Sequence, residues 1–592
     1  MIRLPLSTAT SKRRARKPKG ILHRKILVAC VFLVSVLAWT VFAQNPAESN
    51  QASAETKAQE AAQALVPPAS RSLSQEVDLI IAREHQEISI IRRYKPIIET
   101  YIQDVTPDSR AGTLPVHDHY FLGQADLSKG IVENPMINKN KKKRDAISPV
   151  SHLSGMFGSS YVPEGFLQMV YIDKNGFDRQ HYKFNFVHEE ILGNVRCKVF
   201  DIGPLPKSGD NRFQGRIWAE DQNFTIVRFK GVYTPVRSTD TINLHFDSWR
   251  VNVQPGLWIP GYVFSQEANL KILRGDRRVR FKSQTRLWGY TLKDAGRLEE
   301  FSELRIEFEN DVEDQAARDR SPLEAQREWR HHAEMDVLDA LQRTGLLAPP
   351  GEPDKVLEKV VSNLVAANNL TFEPGIRCRV MLTDTLEMYA VGHTIVLSRG
   401  LLDVLPDETS LATMLAQEIA DIMVTQATLD QWGFNDTTSV TVAEAMDHFS
   451  FKDSPEQLQL AGVKALEILK NSQYKDKLRN AGLFLKQLGA DSKALPALIN
   501  PHLGNRVYLA KELMALAPNL DSAKNEETPA LWIGSRVLLN PWTDEVQLMK
   551  DKPAPLFSSS ERVAFEVSSF MPFLTRYGSS SPASATSFDD PR

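Results

Sequence analysis

Residues 26–43 form a continuous apolar run without a charge, and residues 1–25 before it hold nine basic side chains and no acidic one. A basic segment, an apolar segment and small residues at the exit, here Val41-Phe42-Ala43, are the three parts of a secretory signal. The run also approaches the roughly 17 residues that can just span a bilayer, so an uncleaved membrane anchor is the alternative. In both cases the body lies outside the inner membrane. We expect an exported chain that is periplasmic, anchored through residues 26–43, or secreted.

The charge of the rest of the chain excludes one class of partner. The whole chain has a formal net charge of −2, so residues 44–592, without the nine basic residues, carry −11. An acidic body repels phosphate backbones, and we therefore expect no nucleic-acid partner. With 592 residues, 42% of them hydrophobic and 24% charged, the chain is typical of a globular protein of several domains. Cys197 and Cys378 lie in separate strand-like segments, which favours two buried free cysteines over a disulfide.

Changes in residue pattern predict an α+β protein with an antiparallel β domain followed by a mainly helical domain with a small edge sheet. The helical predictions include Ser74–Arg93, ended or kinked by Pro96, and two later helices over 333–344 and 354–368. A hairpin is expected near 530–548. The predicted order is a signal peptide or anchor at 1–43, a disordered linker at 44–72, a helical segment and loops at 73–150, the β domain at 151–300, a helical connector at 301–350, the helical domain at 351–490, an extension with a hairpin at 491–576, and a disordered tail at 577–592.

The predicted β domain consists of short alternating runs rich in branched and aromatic residues. One hairpin is expected over 168–187, turned by Asn175-Gly176, and a second over 215–231. The second hairpin and the strand start at Trp258 resemble the half-barrel of periplasmic lipoprotein carriers. This resemblance implies lipid or lipoprotein carriage by the β domain.

The segment 376–429 contains an ordered series of motifs. A strand is followed by Ile395-Val-Leu-Ser-Arg-Gly-Leu-Leu402, then Pro406-Asp-Glu, then a helix with Leu411-Ala-Thr-Met-Leu-Ala-Gln-Glu-Ile-Ala-Asp421. This series resembles metallopeptidase family 48, the zincins related to the CAAX prenyl protease, over about 350–490. The resemblance implies a bacterial secreted member with a zincin-like domain, in which a helical H-E-x-x-H motif holds Zn²⁺ and its Glu activates the bound water.

The chain departs from that family at every metal ligand. Gln417 and Asp421 stand where the family has two His, and Leu458 stands at the third ligand position; only Glu418, at the general-base position, is retained. An amide binds zinc poorly and leucine does not bind it, so we expect neither a zinc site nor another cofactor. The resulting interpretation is a pseudoenzyme that binds or scaffolds a polypeptide or envelope protein. Two alternatives stay open, an active zinc metalloendopeptidase with divergent ligands and a lipid or lipoprotein carrier.

Other histidines give weaker candidate sites. His117 and His119 lie on one face of an extended segment, but no third metal ligand is suitably spaced. His331 and His332 are adjacent on a charged helix and are expected in solvent, and His393 is expected in a turn.

Overall fold

The computed structural model describes residues 71–108, 112–128, 130–133, 163–209, 211–234, 244–267, 280–292, 322–424, 450–509, 511–517, 537–539, 546–548, 567 and 574–578. The described residues from Leu73 onward belong to one compact unit. The predicted signal or anchor, the linker at 44–72 and most of the predicted tail lie outside the described residues. None of the described helices is long and apolar enough to cross a membrane.

A ten-stranded antiparallel sheet dominates the described structure, with the strand order β3-β2-β1-β10-β9-β8-β7-β6-β5-β4. Its strands are β1 Tyr94–Asp108, β2 Gly112–Asp126, β3 Gly130–Glu133, β4 Tyr182–Leu192, β5 Val195–Pro204, β6 Phe213–Glu220, β7 Ile226–Tyr233, β8 Leu244–Gln254, β9 Leu257–Glu267 and β10 Arg280–Leu292. Two helices accompany it, α1 Leu73–Ile91 and α2 Pro163–Gln168. Adjacent strands in the sheet are consecutive in the sequence, except for β1 and β10.

The second part is mainly helical. Its helices are α3 Pro322–Arg343, α4 Glu352–Ala367, α5 Arg399–Val404, α6 Glu408–Val424, α7 Pro455–Lys470, α8 Leu478–Asp491, α9 Pro496–Ile499 and α10 Lys511–Met514. A three-stranded sheet has the order β11-β13-β12, from β11 Arg377–Met381, β12 Met388–Val391 and β13 Thr394–Ser398. A hairpin joins β14 Val537–Leu539 and β15 Val546–Leu548, as predicted.

The large sheet separates two hydrophobic cores. Side chains alternate between the faces of a strand, so Ile97 and Tyr101 of β1 join the core of the helical part, whereas Ile98 and Ile102 join the core beneath α1 and α2. A smaller cluster of tryptophans, Trp218, Trp249 and Trp258, forms a third core with Cys197 and Leu574. The strands at the β1 end of the sheet are therefore covered on both faces.

The α+β class and the antiparallel sheet are confirmed, but the sheet is larger than the sequence predicted. Within residues 94–133, expected as loops after a helix, the described residues form β1–β3, and β1 pairs with β10. The helix ends at Ile91, before Pro96. Pro96 lies at a register shift in β1, the kind of position at which a strand tolerates a proline.

The second predicted hairpin is confirmed, because β6 and β7 pair with Gly215 opposite Gly231. The first one is wrong. Residues 163–168 are helical, and Tyr182–Leu192 pairs with the following strand β5 instead of the preceding segment. Asp173 accepts hydrogen bonds from the backbone N–H groups of Asn175 and Gly176, which forms a local turn without strands on both sides.

Candidate functional site

Three of the four residues compared with the metallopeptidase motif lie on α6, the central helix of the helical part. Asp407 accepts a hydrogen bond from the Ser410 backbone N–H (2.7 Å) and so caps the start of this helix. Met414, Leu415 and Ile419 are buried, as the spacing predicts, while Ile422 is half-buried. Gln417, Glu418 and Asp421 are also buried. Leu458 is half-buried on the adjacent helix α7.

Two residues that the sequence did not indicate complete this polar cluster. Asp453, just before α7, shares a hydrogen bond with the Asp421 side chain, and the Asn505 side-chain amide donates a hydrogen bond to it. The Asp453 backbone N–H in turn donates to the Asn505 side-chain oxygen (2.9 Å). A hydrogen bond between two carboxyl groups requires a proton on one of them.

Burial raises the pKa of Glu418 well above its ordinary value, and the negative charges of Asp421 and Asp453 raise it further. Burial also raises the pKa of Asp453. Gln417 Oε1 and Glu418 Oε2 have no hydrogen-bond partner among the described residues. The cluster is thus a proton-sharing group of acids in the described structure, two of them buried and Asp453 half-buried.

The structure gives no metal centre at these positions. Among the described residues, no group of three or more His, Cys, Asp or Glu side chains is placed to hold a metal ion, and no cofactor is expected. The assignment of Glu418 as a general base stays a prediction, as does the loss of the ligands at Gln417, Asp421 and Leu458.

The histidine and cysteine candidates lie in several different surroundings. The His117 and His119 rings meet edge to face with centroids 5.5 Å apart, and His119 Nε2 lies 3.3 Å from Asp104 Oδ2. His393 lies in the β12–β13 turn, where its backbone N–H donates to Glu334. His331 is half-buried and His332 exposed. Cys197 and Cys378 are both buried and free.

A second candidate site is the apolar face of the large sheet beneath α1 and α2. Aromatic and branched side chains from β5–β9 cover this face, including Phe200, Phe213, Ile217, Ile226, Phe229, Phe246, Ile259 and Val263. Several of these rings meet edge to face, such as Phe213 with Phe229 at 5.7 Å between centroids. Such a face presents apolar surface to whatever covers it.

Helix α1 covers part of this face with a mixed apolar and acidic side. Val77, Ile80, Ile88 and Ile91 are buried, but so are the glutamates Glu76, Glu84 and Glu87. Arg250 of β8 donates both terminal nitrogens to Glu84 (2.7 and 2.8 Å), and both side chains are almost completely buried. Lys198 of β5 binds Glu76, and at the exposed end of the helix Arg179 binds Asp78. The helix is therefore attached to the sheet by ion pairs as well as by apolar contacts.

A cavity of about 500 Å³ opens beside this helix, between α1 and the turn that joins β8 to β9. Glu87 lines it together with Arg83, Ile90 and Leu257. Burial raises the pKa of Glu87 to about 7, with Arg250 lowering it and Glu84 raising it. Sequence reasoning missed this site, although Glu84 and Glu87 stand at the same three- and four-residue spacing as the buried isoleucines.

Comparison with known proteins gives matches to solved structures only; no family model and no curated protein matches the chain. A DUF1329 family protein from Desulfovibrio piger is 10% identical, with a TM-score of 0.22, over 38% of this chain and 95% of its own. A LolA superfamily protein from Nitrosomonas europaea is 13% identical, with a TM-score of 0.20, over 36% and 94%. A Vibrio parahaemolyticus protein described as an outer membrane lipoprotein-sorting domain is 11% identical, with a TM-score of 0.18, over 38% and 97%.

The assignment to metallopeptidase family 48 is wrong, and with it the interpretation of the chain as a zincin pseudoenzyme. No family model supports it, and none of the three matched structures is described as a metallopeptidase. The physical reason lies in the residues: the landmarks around α6 describe a buried helix beside a small sheet, and buried helices need apolar residues at this spacing whatever their function. The matched structures carry the names of a DUF1329 protein, a LolA superfamily protein and a lipoprotein-sorting domain.

Proposed function

We propose that this protein carries lipid or a lipid-modified polypeptide on the apolar face of its large sheet, as an exported protein of the cell envelope. The observation that carries the proposal is the aromatic face beneath α1, covered by a helix whose buried side holds three glutamates. An acyl chain is a suitable ligand for this face because it can enter when α1 opens and lie against the apolar side chains after α1 closes, without adding polar groups.

The ion pairs beneath α1 support the idea that this helix can move away from the sheet. Removing Glu84 and Arg250 from water carries a desolvation cost that largely offsets their mutual attraction. When α1 moves away, both side chains regain water. The free-energy cost of undocking α1 is therefore lower than for a purely apolar interface of the same area.

The α2 segment, which covers the same face of the sheet, is attached more firmly. Phe166, Leu167 and the residues just after α2 are buried in the same core, and the Tyr171 hydroxyl donates to the Leu127 carbonyl (2.7 Å). Tyr233 of β7 also donates to the Tyr171 carbonyl. We therefore assign the movable role to α1 and a fixed role to the α2 segment.

Export and an envelope partner complete the proposal. The basic and apolar segments at residues 1–43 support a location outside the cytoplasm, where lipids and lipid-modified proteins must cross an aqueous space. The acidic body supports a partner other than nucleic acid.

The test compares ligand uptake by the wild-type chain with uptake by a variant whose helix is held by apolar contacts. The double variant Glu84→Leu/Arg250→Met replaces the buried pair with apolar side chains, which in buried sites is often neutral or stabilising. We expect wild-type protein to co-purify with lipid and to bind a fluorescent fatty acid, and the double variant to take it up at least tenfold more slowly.

Lys464→Met/Glu467→Leu is the matched control, because this pair is exposed on α7 at 2.8 Å. It should leave uptake unchanged. The proposal fails if the wild-type protein contains no extractable lipid and does not bind the fatty acid.

A further inference from the structure

The cavity beside α1 has the features of a binding site for a small charged group. It lies between the last turns of α1 and the β8–β9 turn, and its volume is about 500 Å³. Ile90 and Leu257 give it an apolar wall, and Leu257 also packs against the aromatic core of the sheet. The cavity therefore adjoins the face on which we place the acyl chain.

Glu87 supplies an acceptor in this cavity. Its residue is only 2% exposed, and the Trp258 backbone N–H binds its carboxylate, yet Oε2 has no hydrogen-bond partner among the described residues. Arg250, the nearest buried cation, is already bound to Glu84 through both terminal nitrogens. A buried carboxylate oxygen without a donor is unfavourable, and a ligand ammonium that donates N–H bonds would satisfy it.

Arg83 supplies the complementary donor one helical turn away. Residues four apart on a helix lie on the same face, about 6 Å from each other. Arg83 Nε donates to the Asn223 carbonyl (3.3 Å) and Nη1 to Gln86 (2.6 Å). No hydrogen bond to a described residue engages Nη2. A guanidinium with an open nitrogen suits a phosphate oxygen.

We propose that this cavity binds the zwitterionic head group of an aminophospholipid, with its primary ammonium at Glu87 and its phosphate at Arg83. This inference rests on the proposed carrier function and adds a lipid class to it. A purely anionic head group would leave Glu87 Oε2 without a donor. A quaternary ammonium carries no N–H, so it would satisfy the charge of Glu87 without forming the missing hydrogen bond.

The experiment measures calorimetric binding of three soluble short-chain lipids to delipidated full-length protein. The probes are dihexanoyl phosphatidylethanolamine, phosphatidylcholine and phosphatidylglycerol, with a fluorescent fatty acid as a ligand without the head group. We expect phosphatidylethanolamine to bind at least tenfold more tightly than the other two phospholipids. Glu87→Gln should abolish this preference and leave fatty-acid binding unchanged, whereas Arg83→Gln should weaken all three phospholipids together.

Asp78→Asn is the matched control, because it removes one negative charge from an exposed position of the same helix. It should keep the wild-type preference. Circular dichroism of Glu87→Gln and its fatty-acid binding both report whether that variant folds.

The outcomes separate the two proposals. Equal affinity for the three phospholipids, or a preference that survives Glu87→Gln, overturns the head-group site while fatty-acid binding still supports a carrier. Absence of binding for all four ligands overturns the carrier function, and the head-group site with it.

Discussion

At the scale of single residues, two clusters contain a buried acid with a raised pKa. Glu418 shares its surroundings with Asp421 and Asp453, and Glu87 lies near Glu84 and Arg250. In both places burial and neighbouring carboxylates raise the pKa of the acid above its ordinary value, because they disfavour the charge. Such groups make the stability of the protein depend on pH.

The first prediction concerns Glu418. Its folded pKa lies above the ordinary value of 4.5. At pH values between 4.5 and the folded pKa, the folded state therefore binds more protons than the unfolded state. Stability should therefore be highest below about pH 4.5 with respect to this group and fall as pH rises toward the folded pKa, by up to about 1.4 kcal/mol per pH unit. Glu418→Gln should flatten this dependence, measured by urea unfolding at pH 5 and pH 8.

Glu467→Gln, at an exposed position of α7, should keep the wild-type pH dependence. A Glu418→Gln variant that loses as much stability between pH 5 and pH 8 as the wild-type protein would contradict the assignment.

Sequence reasoning found the burial of α6 but not its partners. The apolar spacing of Met414, Leu415 and Ile419 is local, and local periodicity is what a sequence shows directly. Asp453 reaches Asp421, and Asn505 reaches Asp453, only through contacts between segments that are distant in sequence, which no local pattern reveals. A family resemblance built on the same local landmarks therefore led to the wrong chemistry.

At the scale of elements, a buried ion-pair group joins the two sheets. Arg286 of β10 donates to Glu99 of β1 (3.0 Å) and binds Asp384, in the segment between β11 and β12. The Asp384 backbone N–H donates to Glu99 as well (2.7 Å). Burial and the nearby Asp384 raise the pKa of Glu99 to about 8, although Arg286 lowers it.

The second prediction is that Arg286→Met severely destabilises the protein. It would leave Glu99 and Asp384 buried without their cation, and loss of one partner in such a pair costs about 3–5 kcal/mol. The matched control is Arg216→Met, which breaks a more exposed pair with Asp201 at 2.7 Å and should cost about 0–1 kcal/mol. Equal midpoints of urea unfolding for the two variants would show that the group does not join the sheets.

A short C-terminal segment forms another long-range contact, on the tryptophan cluster of the large sheet. Leu574 is buried there, its carbonyl accepts from the Asn194 backbone N–H (3.0 Å), and Arg576 binds Glu220 (2.8 Å) and Asp221 (3.0 Å). Gly193, with φ of +69°, permits the close approach, because a Cβ at this position would overlap the Leu574 backbone.

The third prediction distinguishes the effect of a positive φ from the effect of the close contact with Leu574. Gly193→Ala should release residues 574–578, whereas Gly256→Ala, at a similar φ of +72° but with no close neighbour, should retain them. Limited proteolysis followed by mass spectrometry checks this, with cleavage near Leu574 faster only in Gly193→Ala. Identical cleavage patterns for the two variants would mean that the close approach is not required.

Element prediction succeeded where one local pattern determines the structure and failed where pairing partners are distant. The 215–231 hairpin is confirmed because its strands are neighbours in sequence and its glycines face each other. Strands β1 and β2 were missed because their place in the sheet depends on β10, more than 150 residues further along the chain. Their acidic and histidine residues also interrupt the apolar alternation typical of strands.

At the scale of the whole molecule, the large sheet belongs to the cores on both of its faces. Ile97 and Ile98 are neighbours in β1 but belong to different cores. Both cores therefore lose buried contacts if β1 leaves the sheet. Asp118 of β2 also accepts from the backbone N–H groups of Ala497 and Leu498 at the start of α9 (2.9 Å each). The sheet and the helical part should therefore unfold together, although the sequence predicted them as separate domains.

The last prediction uses the two buried thiols as reporters of this coupling. Cys197 lies in the tryptophan cluster of the sheet and Cys378 in the core of the helical part, and burial raises the pKa of each thiol, so both are unreactive in the folded state. If the strands of β1 and β10 join the two parts into one cooperative unit, both thiols become reactive toward a maleimide at the same urea concentration. Peptide mapping by mass spectrometry identifies each labelled cysteine, and tryptophan fluorescence should change at the same midpoint. Arg286→Met should shift both labelling midpoints equally, because the group it breaks belongs to both parts. Labelling of Cys378 at a lower urea concentration than Cys197 in the wild-type protein would instead show that the helical part unfolds independently of the sheet.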